Sequence, residues 1–205
     1  MTKAYAVAAI VGVAGLLGGT AGYVWYAGQS DDIYAQCTGG QVAGGAIGGP
    51  FTLVDQTGGT VTDKDVLKKP SLVYFGYTFC PDVCPLDAQR NADAVDILAE
   101  RGLDVTPVFI TIDPARDTAQ VLADWTSGIS PKMIGLTGTP DQIKAVSVAY
   151  KTYYKQQPAD DENYLMDHSI YTYLMLPDAG FVDFFDRDIA ADKMADKVGC
   201  FLNAA

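Results

Sequence analysis

The stretch Ser71–Pro85, SLVYFGYTFCPDVCP, sets two cysteines three residues apart between two prolines, directly after an apolar run. The run Ser71–Tyr77 reads as a buried strand. From Pro85 to Arg101, Val95, Leu98 and Ala99 share one face of a helix, and DVTPVFITID (104–113) is a second buried strand. Strand, helix, strand implies a parallel crossover. Pro81 and Pro85 lack a backbone N–H, so Cys80 to Cys84 forms a stiff turn, with the helix expected to start at Pro85 and Cys84 near its N-cap. Backbone N–H groups and the helix dipole stabilise thiolates there.

Upstream, FTLVDQTGGTVT (51–62) alternates around Gly58-Gly59, a β-hairpin signal. Downstream, TAQVLADWTSG (118–128) supplies a helix beginning near Asp117, KMIGLTG (132–138) a short strand, and TPDQIKAVSVAYKTYY (139–154) a helix with Thr139 as N-cap and Pro140 at its first position. QQPADDEN (156–163) is an acidic loop, DHSIYTYLMLPDAGFVDFF (167–185) reads as two strands around a turn at Pro177–Gly180, and Ile189–Leu202 is a closing helix. This order predicts an α/β domain of thioredoxin-like (peroxiredoxin-like) fold, with an extra N-terminal hairpin and a helical insertion.

The N-terminus is of another character. Ala4–Gly28 holds no Asp, Glu, Lys, Arg or His, and about 20 apolar residues cross a bilayer as a helix. Tyr23, Trp25 and Tyr26 suit the membrane interface, Lys3 precedes the span, and Asp31 and Asp32 follow it. The division is therefore a transmembrane anchor at 1–28, a glycine-rich tether at 29–47 and a folded domain at 48–205. A cleaved signal peptide would have a shorter apolar core, and no Arg-rich, Ser-rich presequence precedes the span. The expected location is the bacterial inner membrane, with the domain in the periplasm. A net charge of −11 over 205 residues argues against nucleic acid or anionic lipid as a partner.

Thiol–disulfide exchange at this place in such a fold uses Cys-x-x-Cys. The wider pair Cys80/Cys84 can still close a redox-active disulfide, and it can also set two thiolates around a metal. The lone histidine, His168, begins a strand expected beside the one ending at Cys80. Two thiolates and an imidazole suit Cu(I) first and Zn(II) second, although a lone histidine is more often a structural residue than a ligand. Met166 and Met175 are assigned to packing, and Asp82 reads either as a solvated turn residue or as a charge that tunes the site. Cys37 and Cys200 remain, and outside the cytoplasm a pair not needed for chemistry becomes a structural disulfide.

Together GGPFTLVDQTGG (48–59), YFGYTFCPDVCP (74–85), TIDPARDT (111–118) and NYLMDHSIYTYLMLPDAGFVDFF (163–185) resemble the Sco/SenC family. The resemblance is collinear from about Gly48 to Cys200. It implies a membrane-anchored copper chaperone for cytochrome c oxidase. Copper, as Cu(I) or Cu(II), would be held by Cys80, Cys84 and His168, received from an upstream donor and delivered to the CuA centre of oxidase subunit II. Asp113, Pro114, Arg116 and Asp117 fall in a matching stretch. Their own chemistry reads only as a loop and the N-cap of a helix, and no ligand role is assigned to them.

Two other readings stay open. One is an enzyme: a thiol–disulfide reductase preparing the CuA cysteines, for which the chain itself would need a thiol reductant, or a thiol peroxidase. No Arg or Lys lies between Lys69 and Arg90 to activate a peroxidatic thiol. The other is redox or copper sensing through a partner.

Overall fold

The computed structural model describes residues 12–23, 33–38, 46–159 and 163–204, in two compact units, Met1–Ile33 and Tyr34–Ala205. In the first unit residues 12–23 form an exposed helix, α1. The rest of the expected span Ala4–Gly28 lies outside the described residues. Among the described residues no helix is long and apolar enough to cross a membrane.

The second unit is built on a mixed seven-stranded sheet. Its strands are β1 (Thr52–Asp55), β2 (Thr60–Thr62), β3 (Ser71–Gly76), β4 (Thr106–Thr111), β5 (Ile134–Thr137), β8 (Thr172–Leu176) and β9 (Gly180–Phe185), in the order β2-β1-β5-β4-β3-β8-β9. β3, β4 and β5 run parallel, with Leu72 opposite Pro107 and Phe109 opposite Gly135, whereas β1 and β8 pair antiparallel at either side. β3 is buried along its whole length, which is why it reads as a continuous apolar run and not an alternating one. The hairpin β1–β2 turns at residues 56–59, where Asp55 Oδ1 accepts bonds from the backbone of Thr57 and Gly59 at 2.9 Å each. Before the sheet come α2 (Ala35–Thr38), inside the span 29–47, and α3 (Asp63–Val66) within it.

The crossover from β3 to β4 is α4 (Val83–Glu100). It starts two residues before Pro85. That costs nothing, because the first four N–H groups of a helix have no intrahelical partner, so proline at the third position breaks no bond. Its inner face is Ala88, Ala92, Val95 and Leu98, all buried. Ala99 is exposed instead of sharing that face, since it borders a surface cleft lined by Gly102, Leu103, Asp104, Val105 and Lys132. α5 (Ala119–Ile129) is capped by Thr118, and not by Asp117 as its sequence suggests. α6 (Pro140–Ala149) begins with a Thr139/Gln142 capping box and Pro140 in its first turn.

One expectation changes at the third candidate ligand. The segment between α6 and β8 folds into a separate two-stranded ribbon, β6 (Tyr154–Gln156) and β7 (Met166–His168), in which Tyr154 faces His168. His168 therefore sits on this ribbon, and the strand beside β3 is β8, which starts four residues later. The chain closes with α7 (Ala191–Ala204), whose Met194, Ala195, Val198 and Phe201 pack with Ala94, Val95 and Leu98 of α4.

Candidate metal centre

The parallel strands β3 and β4 end at the same edge of the sheet, so the loops that follow them meet. Residues 77–82 leave β3 carrying Cys80, and residues 112–118 leave β4 carrying Asp113, Arg116 and Asp117. Asp117 is wholly buried and binds the cysteine loop: it accepts bonds from Thr78 N at 3.0 Å, Thr78 Oγ1 at 2.5 Å and Thr111 Oγ1 at 2.5 Å. Burial pushes its pKa above the usual carboxylate range, although all three donors favour the charged form. This residue ties two loops together, a role its position in TIDPARDT does not reveal.

Cys84 lies in the first turn of α4 and is completely buried, and its backbone N–H donates to Cys80 Sγ at 3.3 Å. Gly76, the last residue of β3, makes room for it: a β-carbon there would stand 3.1 Å from Cys84 Sγ and 2.9 Å from the Tyr74 ring. From the ribbon, His168 Nε2 comes within 3.3 Å of Cys84 Sγ. His168 Nδ1 lies 2.8 Å from the Ser169 carbonyl, which can only accept, so Nδ1 carries the proton and Nε2 presents its lone pair. The donor atoms of Cys80, Cys84 and His168 all lie within 4.8 Å of one another, the one such cluster among the described residues.

The remaining wall is aromatic and acidic. Tyr74 and Tyr77 stand edge-on to the imidazole, with ring centres 6.3 and 5.9 Å away. Tyr74 donates to buried Asp87 at 3.1 Å, and Asp87 in turn pairs with Arg90 at 3.1 Å. Burial pushes Asp87 up, and the Arg90 charge works against that rise. Met166 and Met175 are buried in the core cluster.

The two thiols differ in charge. The adjacent Cys84 thiol, helped by the backbone N–H groups of Asp82 and Cys84, holds the Cys80 thiol down at about 3. Cys84 is pushed up, first by the Cys80 sulfur and then by burial. At neutral pH the proton resides on Cys84 and the negative charge on Cys80. Alkylation of the reduced protein by iodoacetamide should therefore modify Cys80 at a rate nearly flat from pH 8 to about 4, declining only toward pH 3. An ordinary thiol loses roughly tenfold per pH unit below its pKa of about 8.5. Peptide mass mapping across this range checks it, and a tenfold-per-unit decline at Cys80 would remove the assignment.

Cys37 and Cys200 are joined by a disulfide with a Cα–Cα distance of 5.7 Å, and Cys80 and Cys84 are unbonded thiols. Sequence reasoning located both cysteine pairs and the histidine. It gave no sign of the contributions of Tyr74, Tyr77 and Asp87, whose only signal is a polar atom carried on or next to an otherwise apolar strand or helix face.

A thioredoxin-like domain with two thiols and an imidazole converging where its central βαβ strand ends is a soft-metal or dithiol redox protein. The SCO1/SenC family model matches residues 40–203. The chain belongs to the SCO1/SenC family. It is 55% identical over 203 residues to Protein SenC of Rhodobacter capsulatus, a match covering 99% of this chain and 92% of that protein. With the mitochondrial Protein SCO1 homolog 1 of Arabidopsis thaliana it shares 45% identity over 154 residues, which is 75% of this chain and 46% of that protein, so the chain spans about half the length of this plant relative. The crystal structure of Arabidopsis thaliana ScoI with copper bound superposes with a TM-score of 0.74 at 43% identity, over 77% of this chain and 99% of that one.

Proposed function

We propose that the chain is a copper carrier that delivers its ion to the CuA centre of cytochrome c oxidase subunit II and so assists oxidase assembly. The observation that carries this reading is the donor set: two sulfurs and a histidine nitrogen within 4.8 Å, with the imidazole already held in the tautomer that can ligate. Soft thiolates favour Cu(I) over hard cations, and the imidazole accommodates Cu(II) as well. Cys80 is ready to bind as a thiolate, and Cys84 gives up its proton on binding. Release then proceeds by ligand exchange, as thiolates and imidazoles of the recipient replace these ligands one at a time.

The same reading includes the anchor. Ala4–Gly28 would span the bacterial inner membrane once, with 29–47 as tether and the domain from 48 onward in the periplasm, where an upstream copper donor or a thiol reductant and subunit II are reachable. The apolar, charge-free composition of the span supports it.

One observation favours a second activity. A charged, slightly exposed Cys80 beside a protonated, buried Cys84 is the arrangement of an attacking and a resolving thiol. In that reaction Cys80 attacks a partner disulfide and frees one partner thiolate, then Cys84 attacks the Cys80 sulfur and displaces the second; two electrons and the Cys84 proton pass to the partner, solvent protonates its other thiolate, and Cys80–Cys84 closes. The test mixes the reduced chain with the soluble domain of subunit II in two states. If the copper-loaded chain builds a copper–thiolate absorption in the apo, reduced domain, delivery holds. If the only reaction is metal-independent reduction of the oxidised domain, delivery is lost and the reductase stands. Intact oxidase after deletion, with altered gene expression instead, would indicate sensing.

A further inference from the structure

The TIDPARDT stretch contributes no ligand, yet its side chains contact both segments that supply ligands. Arg116 and Asp113 are nearly buried, and Arg116 Nε donates to Asp113 Oδ2 at 2.6 Å. So fixed, the guanidinium carbon lies 3.6 Å from the ring centre of Tyr164, 4.6 Å from that of Phe79 and 5.9 Å from that of Tyr77. Asp113 Oδ1 also accepts from the Tyr164 hydroxyl at 2.8 Å. Phe79 precedes Cys80, and Tyr164 leads into β7, which ends at His168. A second tie runs parallel to the first, as Met166 N donates to the Tyr77 hydroxyl at 3.2 Å.

We propose that Arg116, oriented by Asp113, is a positioning residue that clasps the His168 ribbon to the cysteine loop through Tyr164 and Phe79, and so holds the imidazole over the two sulfurs. The physical case is one of rigidity. A two-stranded ribbon is marginal by itself, and β6–β7 is outside the main sheet. Its hold on the domain must come from side chains, and a planar guanidinium stacked on aromatic rings is well suited to that. Without the clasp, Nε2 would sample positions away from Cys84, and the ion would be left mainly to the two sulfurs.

The inference rests on the copper-carrier reading above, and its test separates the two. The full chain in detergent, reduced, is titrated with copper against a chelator, and the Cu(II) form is examined for nitrogen hyperfine coupling from the imidazole. Arg116→Ala and Tyr164→Leu should each weaken binding about 10- to 100-fold, the usual effect of removing a group that orients a ligand, and should diminish the nitrogen coupling. Arg116→Lys, which keeps the charge but not the plane, should resemble Arg116→Ala. In a His168→Ala background each substitution should cost less than about threefold, since the ligand being positioned is gone. Tyr164 is half-buried and on the outer side of the Arg116–Asp113 pair, so Tyr164→Leu remains informative if Arg116→Ala folds poorly.

Full-sized losses in the His168→Ala background would mean that the cluster supports the fold or the sulfurs, and would overturn the proposal. So would an unaltered nitrogen signal in Tyr164→Leu. If His168→Ala itself binds copper as the parent does, the ligand assignment fails first, and the positioning role fails with it.

Discussion

Copper titration of the reduced chain is expected to saturate near one equivalent, and Cys84→Ser is expected to weaken binding by more than about 100-fold. The magnitude follows from position. Groups that merely orient a ligand account for about 10–100-fold in affinity, and Cys84 is proposed as a donor itself. A serine hydroxyl is hard and stays protonated, so it cannot replace a thiolate for a soft ion. Cys84 is also fully buried, with its sulfur 3.3 Å from His168 Nε2, so it faces the other candidate ligands and not solvent. His168→Ala should cost less for Cu(I), because both sulfurs remain. Closing the Cys80–Cys84 disulfide should cost at least as much as Cys84→Ser, because it removes both thiolates at once. Competition against a chelator of known affinity gives all three values, and near-parent affinity in Cys84→Ser would refute the site.

The order of these effects also shows which parts of the site a sequence can reveal. Cys80 and Cys84 were legible because strand, turn and helix start are local: an apolar run, two prolines and a helical period place both sulfurs within 14 residues. His168 follows Cys84 by 84 residues, and only its being the sole histidine, with the family resemblance, brought it forward. Its setting was misread because β7 continues toward β8 with no strong break signal. Three residues, Ser169 to Tyr171, are enough to redirect the chain from the ribbon into the sheet. Asp117 was read as a cap because aspartate before a helix usually caps it. Here burial against Thr78 and Thr111 prevails, and Thr118 takes over the cap. Arg116 could not be read at all, because its partners Phe79 and Tyr164 are 37 residues before it and 48 after, and stacking leaves no periodic trace. The local frame of the site is thus written in the sequence, whereas the contacts that hold its two halves together are tertiary.

The other large expected effect lies far from the metal cluster. Cys37→Ala with Cys200→Ala should destabilise the oxidised protein by about 3–5 kcal/mol and lower its melting temperature by roughly 10–15 °C. The cysteines are 163 residues apart, so the bond closes nearly the whole second unit into one loop. Restricting an unfolded chain of that length contributes up to about 5 kcal/mol in the chain-entropy account. For a domain of this size each kcal/mol moves the midpoint by about 2–4 °C. The native side adds to the loss, since α2 has only four residues and cannot persist as an isolated helix. It is held by the sulfur bridge, by burial of Cys37 among Leu98, Val198 and Phe201, and by Tyr34 packing on Phe201 with ring centres 5.5 Å apart. Freed of the bridge, α2 should fray first, and amide exchange at Cys37 and Thr38, which bond to the Tyr34 carbonyl, should rise before the sheet opens. Copper affinity should be unchanged, because none of the three candidate ligands touches this end of the domain. A midpoint shift below about 3 °C would show that packing of α2 on α7 suffices without the bond. A parallel loss of copper binding would show that the two cysteine pairs are coupled through the core.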